Sequence, residues 1–156
     1  MKITLCASIA FYGLMESVRD TLEQHGHEVK LPPTEVPNEE GTMIPVAEYY
    51  AIRKQAGDNA AWVWERKAEA IRWHMDKINW ADAILVINPE KNGIPGYIGG
   101  NTLIEMGVAF YLRKKIYLWN PVPEMSCREE ILGMQPTLIN QDLSQITYEE
   151  ARAPGA

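Results

Sequence analysis

One stretch of the chain constrains its fold more than any other: a short apolar run, then a glycine-rich loop, then a helix pattern. The run is Ala83-Ile-Leu-Val-Ile-Asn88, and the loop ends in Gly96-Tyr-Ile-Gly-Gly100. A continuous apolar run of this length is typical of a parallel strand that is buried on both faces. In α/β sheets, ligands bind where the carboxyl ends of strands meet the N-termini of helices. We therefore expect an α/β protein with its ligand site at this loop.

The helix after the loop carries one carboxylate, Glu105, among apolar neighbours. Thr102-Leu-Ile-Glu105 matches the capping box S/T-x-x-E, in which the glutamate only stabilises the start of the helix. If Asn101 is the N-cap instead, Glu105 lies one position deeper and the box is broken. The local sequence leaves both a structural and a catalytic Glu105 open.

Length and charge limit the possible classes of protein. With 156 residues, of which 46% are hydrophobic, the chain predicts one α/β domain over residues 1–150 and a loose tail over 151–156. A net charge of -6 argues against a nucleic acid polymer or an anionic membrane as partner. No run approaches the roughly 20 apolar residues that span a bilayer. We expect a soluble, cytoplasmic protein that binds a small molecule, and the two cysteines, Cys6 and Cys127, suit a reducing compartment.

Strand and helix patterns alternate along the rest of the chain. Strands are predicted at residues 2–7, 27–31, 82–88, 115–119 and 136–140. Helices are predicted near residues 11–22, 47–55, 59–79, 102–112 and 126–132. The segment from residue 38 to 45 reads as a long loop of the kind that forms lids. This alternation predicts a flavodoxin-like, Rossmann-like doubly wound five-stranded parallel sheet in the order 2-1-3-4-5, with helices on both faces.

The long helix predicted over residues 59–79 has two apolar faces. The core-facing stripe is predicted to be Trp64, Ala68, Ile71, Met75 and Ile78. Trp62, Trp73 and Trp80 fall on nearly the opposite face, among charged residues. Three aromatic side chains on an outer face indicate a surface that another chain or the preceding loop covers. We expect a homodimer or homotetramer.

The sheet order brings several candidate ligand-binding residues together. The first and third strands meet at the switch point, which places Ser8 and Ile9 beside Asn88 and the loop before Glu105. That loop contributes the last three substrate-binding candidates, Gly99, Gly100 and Asn101. The sequence has no P-loop lysine, no G-x-G-x-x-G and no metal-ligand spacing, so we expect neither a cofactor nor a metal.

His74 has two possible roles. It lies at the edge of the predicted core-facing stripe, where a histidine can bond a backbone carbonyl at the flank of the helix. Its position along the helix favours this structural role. The alternative is a side chain that points into the ligand site.

Four segments of the chain resemble one enzyme family. They are Cys6-Ala-Ser-Ile9, His25-Gly-His-Glu-Val29, Ala81-Asp-Ala-Ile-Leu-Val86 and Thr102-Leu-Ile-Glu-Met-Gly-Val-Ala109. Together they are similar to the nucleoside 2-deoxyribosyltransferase superfamily, which includes deoxyribosyltransferases and deoxynucleoside 5′-monophosphate N-glycosidases. The resemblance covers residues 1 to about 120 and implies a nucleoside or nucleotide substrate that is cut, or transferred, at its N-glycosidic bond. It also implies that a neighbouring subunit completes the site.

The resemblance assigns roles to particular residues. Glu105 matches the family's catalytic nucleophile, and Ser8 and Ile9 match the turn that holds the sugar or its 5′-phosphate. The chain departs from the family where Ala10 replaces an arginine and where His74 and Gly99 each replace an acidic residue. His74 is therefore a second catalytic candidate, as a donor to the departing base or a sugar hydroxyl. The lost acids keep an alternative open, namely a noncatalytic nucleotide-binding or assembly module.

Overall fold

The structure is a computed structural model, and it describes residues 1–148. Five strands form a parallel sheet: β1 Lys2–Cys6, β2 Glu28–Lys30, β5 Ala83–Val86, β6 Lys115–Leu118 and β7 Thr137–Leu138. Two further strands, β3 Glu35–Pro37 and β4 Met43–Pro45, pair as a separate antiparallel hairpin. The sheet order is β2-β1-β5-β6-β7. Counted within the sheet, this is the order 2-1-3-4-5, so the predicted flavodoxin-like fold is confirmed.

Helices cover both faces of this sheet. They are α1 Tyr12–Gln24, α2 Val46–Gln55, α3 Ala61–Trp80, α4 Gly100–Tyr111 and α5 Arg128–Gly133. Successive side chains of a strand point to opposite faces, and β1 illustrates this. Leu5 packs in the layer with Met15 of α1, whereas Cys6 packs in the layer with Ile78 of α3 and Met106 of α4. The alternation in β1 thus sends Cys6 toward α3 and α4.

The hairpin of β3 and β4 corrects the prediction of a long loop without strands at residues 38–45. Its turn is held by the Asn38 side chain, whose Oδ1 accepts hydrogen bonds from the backbone N–H groups of Glu40 and Thr42 at 3.0 and 2.9 Å. The hairpin packs with α2 and the start of α3 in a small core of its own, made of Val36, Ile44, Tyr49 and Val63. Three-residue strands are too short to give a readable alternation, so the sequence pattern missed them.

The faces of α3 also differ from the prediction. Trp64, expected in the core, is 38% exposed, while Val63, His74 and Ile78 are buried. Trp62 packs edge-on against Tyr49, because the hairpin and α2 cover this end of the helix. The Trp80 ring lies under the ammonium group of Lys30, at 4.1 Å from its centroid. The three tryptophans Trp62, Trp73 and Trp80 therefore do not form one exposed face, although Trp73 remains 38% exposed.

The predicted tail at residues 151–156, with residues 149 and 150, lies outside the described part of the chain. Within residues 1–148, no helix combines the length and the apolar character that a bilayer span requires.

Candidate active site

A cavity of about 320 Å³ opens beyond the carboxyl end of β1. Its walls come from the turn after β1, from α2 and α3, from the loop after β5 and from the start of α4. Small-molecule sites in proteins commonly have volumes of roughly 300–1,000 Å³. The position of the cavity is the one expected for a doubly wound sheet, at the switch point beside the central strands.

Glu105 lies in the wall of this cavity, one turn and a half inside α4. The helix is capped by Gly99 without any side-chain hydrogen bond, so the capping box between Thr102 and Glu105 does not form. Only 12% of the Glu105 side chain is exposed, and its Oε2 has no hydrogen-bond partner. Burial raises the pKa of Glu105 to about 8, while Cys6 and the charge of Lys67 act in the opposite direction.

His74 and Cys6 face the same carboxyl group. His74 Nε2 lies 3.7 Å from Glu105 Oε2 and 3.5 Å from Cys6 Sγ. Burial, followed by the charge of Lys77, lowers the pKa of His74 to about 4. Burial and the neighbouring Glu105 raise the pKa of the Cys6 thiol. At neutral pH the group therefore consists of a thiol, a neutral imidazole and a mostly protonated carboxyl group.

These three side chains could also hold a metal ion. Their ligand atoms all lie within 4.8 Å of one another. In a tetrahedral zinc site, bond lengths of roughly 2.0–2.3 Å put neighbouring ligand atoms about 3.5 Å apart, which is close to the two distances from His74 Nε2. The expectation of no metal rested on spacing along the sequence, and spacing cannot reveal a cluster built from β1, α3 and α4.

Most of the residues predicted for the site line this one cavity. Besides Glu105 and His74, they are Ser8, Ile9, Gly99, Gly100 and Asn101. Ser8 Oγ accepts a hydrogen bond from Lys91 Nζ at 2.9 Å. His74 Nε2 faces Glu105 and Cys6, and the ring also contacts the Leu5 backbone, which acts to raise the pKa of His74.

Asn88 is the exception, and the structure gives it a different role. It is fully buried and does not line the cavity. Its Nδ2 donates to the carbonyls of Gly96 and Asn120 at 3.1 Å each, and its Oδ1 accepts from Asn120 N–H at 2.8 Å. Because these contacts occupy both ends of the amide, Asn88 ties the loop after β5 to the end of β6 and has no group left for a ligand.

Several residues that line the cavity were not predicted from the sequence. α2 supplies Tyr49, Tyr50, Arg53 and Lys54, which reach the cavity because the hairpin folds this helix over the end of β1. Lys67 comes from α3 and Lys91 from the loop after β5. No local motif marks these side chains. For Cys6, the strand alternation was a usable signal, but only once the face of the sheet that α3 and α4 cover is known.

Comparison with known proteins returns structures and no sequence relatives. No protein-family model and no curated protein matches the chain. A 2-deoxyribosyltransferase from Bacillus psychrosaccharolyticus is 16% identical over 76% of this chain and 71% of that chain, with a TM-score of 0.46. A CMP N-glycosidase from Clostridium botulinum is 16% identical over 88% of this chain and 85% of that chain, with a TM-score of 0.47.

Proposed function

We propose that this protein cleaves or transfers at the N-glycosidic bond of a nucleoside or nucleoside 5′-monophosphate, with Glu105 as nucleophile and His74 as proton donor. The observation that carries the proposal is the placement of the Glu105 carboxyl group. It is buried in the wall of a ligand-sized cavity, has an oxygen without a hydrogen-bond partner, and lies 3.7 Å from an imidazole nitrogen. The sequence resemblance independently assigns the nucleophile to the same residue.

The chemistry requires a carboxylate beside the anomeric carbon. As the bond from sugar to base breaks, positive charge develops on that carbon, and a carboxylate can trap it as a glycosyl ester. The electron pair of the broken bond goes to the base nitrogen. Protonation of the departing base makes it a better leaving group, so the site also needs an acid.

One proton shared by Glu105 and His74 meets both needs. Between pH values of about 4 and 8 the pair holds one proton, which rests mainly on Glu105. Transfer of this proton to His74 Nε2 creates the carboxylate nucleophile and the imidazolium donor in one step. The imidazolium then protonates the base as the glycosyl ester forms, which leaves a neutral His74.

The second half of the reaction returns the enzyme to its starting state. Water, or the nitrogen of a second base, attacks the anomeric carbon, and the bond to Glu105 breaks. Neutral His74 can accept the proton that the attacking group loses, as microscopic reversibility requires. In this scheme the reaction needs no cofactor.

The test is release of free base. The protein is incubated with a panel of nucleosides and nucleoside 5′-monophosphates, with and without a second base, and the products are separated by chromatography. A 2-fluoro sugar analogue should slow the second step, so that intact-mass spectrometry detects a sugar adduct on the peptide that contains Glu105. Glu105→Gln should abolish both base release and the adduct.

Glu65→Gln is the matched control, since Glu65 is an exposed carboxylate of α3 outside the cavity. It should keep full activity. Base release that survives in Glu105→Gln contradicts the nucleophile. Tight binding of the panel without any base release would favour the noncatalytic module instead.

A further inference from the structure

Cys6 is the member of the buried cluster with His74 and Glu105 to which the proposed reaction gives no role. Its side chain is fully buried and does not line the cavity. Any effect of Cys6 on a ligand must therefore pass through a neighbouring side chain. The core layer around it is made of apolar side chains such as Ile78 and Met106. The polar side chains that face it are those of His74 and Glu105.

The sulfur atom of Cys6 faces both groups of the proton-sharing pair. Sγ lies 3.5 Å from His74 Nε2 and within 4.8 Å of a carboxyl oxygen of Glu105. This position follows from the alternation of side chains along β1, which turns Cys6 toward α3 and α4. Rotation about the Cβ–Sγ bond can therefore direct the thiol proton toward either group.

The thiol of Cys6 keeps its proton in this environment. Burial, followed by the charge of Glu105 and a hydrogen bond with it, raises the pKa of Cys6 well above its ordinary value. The thiolate is the form of cysteine that attacks electrophiles, whereas the S–H group is a weak hydrogen-bond donor. Cys6 is thus unsuited to be a second nucleophile and suited to be a donor.

Glu105 needs a donor at the moment when it becomes the nucleophile. Proton transfer to His74 leaves a carboxylate that is only 12% exposed and has an oxygen without a hydrogen-bond partner. A buried carboxylate without donors is unfavourable. The Nε2–H group of His74 could bond it, but the departing base needs the same proton. Burial raises the pKa of Glu105, and the hydrogen bond from Cys6 opposes this shift more than the charge of Lys67 does.

We propose that Cys6 is a positioning residue, whose thiol donates a hydrogen bond to the Glu105 carboxylate while the shared proton is on His74. This inference rests on the proposed function, which supplies the proton transfer. The thiol stabilises the carboxylate, so the Nε2–H group of His74 is free to face the departing base. Once Glu105 carries the sugar, the thiol can turn to neutral His74 Nε2, 3.5 Å away. Cys6 keeps its own proton throughout, so the balance of protons and electrons in the reaction is unchanged.

The first test compares two variants of Cys6 in the turnover assay. Cys6→Ala removes the donor, and because hydrogen bonds to charged groups are strong, kcat should fall roughly tenfold to a hundredfold with KM nearly unchanged. Cys6→Ser keeps a donor at the same place and should restore most of the lost kcat. Cys127→Ala is the matched control, since Cys127 lies outside the cluster, and it should keep the wild-type kcat.

Urea unfolding of the same variants separates this role from simple packing. A serine hydroxyl among apolar side chains is costly to bury, so Cys6→Ser should be no more stable than Cys6→Ala. If Cys6 only fills space, kcat should follow stability and serine should rescue nothing. A Cys6→Ser variant that is less stable than Cys6→Ala and yet more active supports the donor. Equal loss of kcat in both variants overturns it.

The second test needs no substrate, so it stands apart from the proposed function. The pKa of Glu105 is measured from the ¹³C chemical shift of its carboxyl carbon in labelled protein, with His74 and Lys67 unchanged in every variant. Cys6→Ala should raise this pKa above the wild-type value, and Cys6→Ser should return it to the wild-type value or below. A pKa that Cys6→Ala leaves unchanged overturns the inference even if free base is released. The expected shifts without any base release support the hydrogen bond and refute only the glycosidic reaction.

Discussion

His74 Nε2 lies 3.7 Å from Glu105 Oε2, and burial reverses the usual acid strengths of these two groups. The carboxyl group has a pKa of about 8 and the imidazole one of about 4. At neutral pH they therefore face each other mainly as an uncharged pair instead of an ion pair. This reversal has consequences for activity and for stability.

The rate of base release should show a bell-shaped dependence on pH. The active form holds one proton on the pair, so kcat/KM should rise as pH increases through about 4 and fall as it passes about 8. The measurement is kcat/KM for one substrate from pH 3.5 to 9.5, over the range in which the protein stays folded. A kcat/KM that keeps rising above a pH of about 8 would show that Glu105 acts as an anion without a proton on His74.

His74→Asn should change the shape of this profile as well as its height. Without the imidazole, the departing base loses its donor and the rate should drop by about a hundredfold or more. The remaining reaction needs only ionised Glu105, so its rate should increase with pH and show no falling limb. A bell-shaped profile retained in this variant would remove His74 from the mechanism.

The free energy of unfolding should fall as the pH is raised toward 8. The pKa of Glu105 is raised on folding, so its proton stabilises the folded state below the unfolded pKa of 4.5, and this contribution is lost as pH rises to about 8. The pKa of His74 is lowered on folding from 6.5 to about 4. Its contribution to the free energy of unfolding therefore increases between these pH values and offsets the loss from Glu105. The net decline should therefore appear from pH 6.5 to 8, at about 1.4 kcal/mol per unit.

Glu105→Gln isolates the carboxyl contribution to stability. Between pH 4.5 and 8, the free energy of unfolding of the variant should rise steadily relative to that of the wild type, because glutamine cannot ionise in the buried site. Urea unfolding at several pH values measures the difference. A constant difference across this range would mean that the pKa of Glu105 is not raised in the folded protein.

Zinc should inhibit base release, although the proposed reaction uses no metal. Zn²⁺ at the cluster of Cys6, His74 and Glu105 would occupy the nucleophile, and its affinity should increase with pH as the ligands lose protons. Micromolar Zn²⁺ should inhibit, chelators should restore activity, and Cys6→Ala should weaken the inhibition. Cys127→Ala is the control, because Cys127 lies outside this cluster. Loss of activity on treatment with a chelator alone would instead indicate a metal-dependent reaction.

Asn88→Ala should destabilise the protein by about 2–4 kcal/mol, because it removes the hydrogen bonds of a fully buried amide to backbone groups. Those partners are the backbone groups of Gly96 and Asn120. Urea unfolding measures the change, and Asn79→Ala, at an exposed position of α3, should stay within about 0.5 kcal/mol of the wild type. A small effect of Asn88→Ala would contradict its structural role.

A homodimer or homotetramer remains a prediction. The exposed aromatic surface that supports it is smaller than the sequence predicted, because Trp62 and Trp80 have partners within the chain. Trp73 keeps 38% of its surface exposed. Light scattering should give a multiple of 17.7 kDa, and Trp73→Glu should reduce it to a single chain. A wild-type protein of 17.7 kDa at micromolar concentration would refute the prediction.

The sheet could be predicted because its evidence is local. The buried run at β5 and the order of strands and helices fix the topology with few alternatives. The resemblance and the glycine-rich loop likewise led to Glu105. The pairing of Cys6 with His74 could not be predicted, because 68 residues separate them and only packing brings α3 across β1. The presence of the α2 cations Arg53 and Lys54 in the cavity could not be predicted for a similar reason, because their position depends on a hairpin of three-residue strands.

The small core of Val36, Ile44, Tyr49 and Val63 holds the wall that carries Arg53 and Lys54. Glu105 stands instead on α4, which is packed into the main sheet. The proposed nucleophile and the α2 wall of its cavity are thus stabilised by different sets of apolar contacts. Mutation of the hairpin and α2 can therefore alter ligand choice during evolution at little cost to the scaffold that supports the reaction.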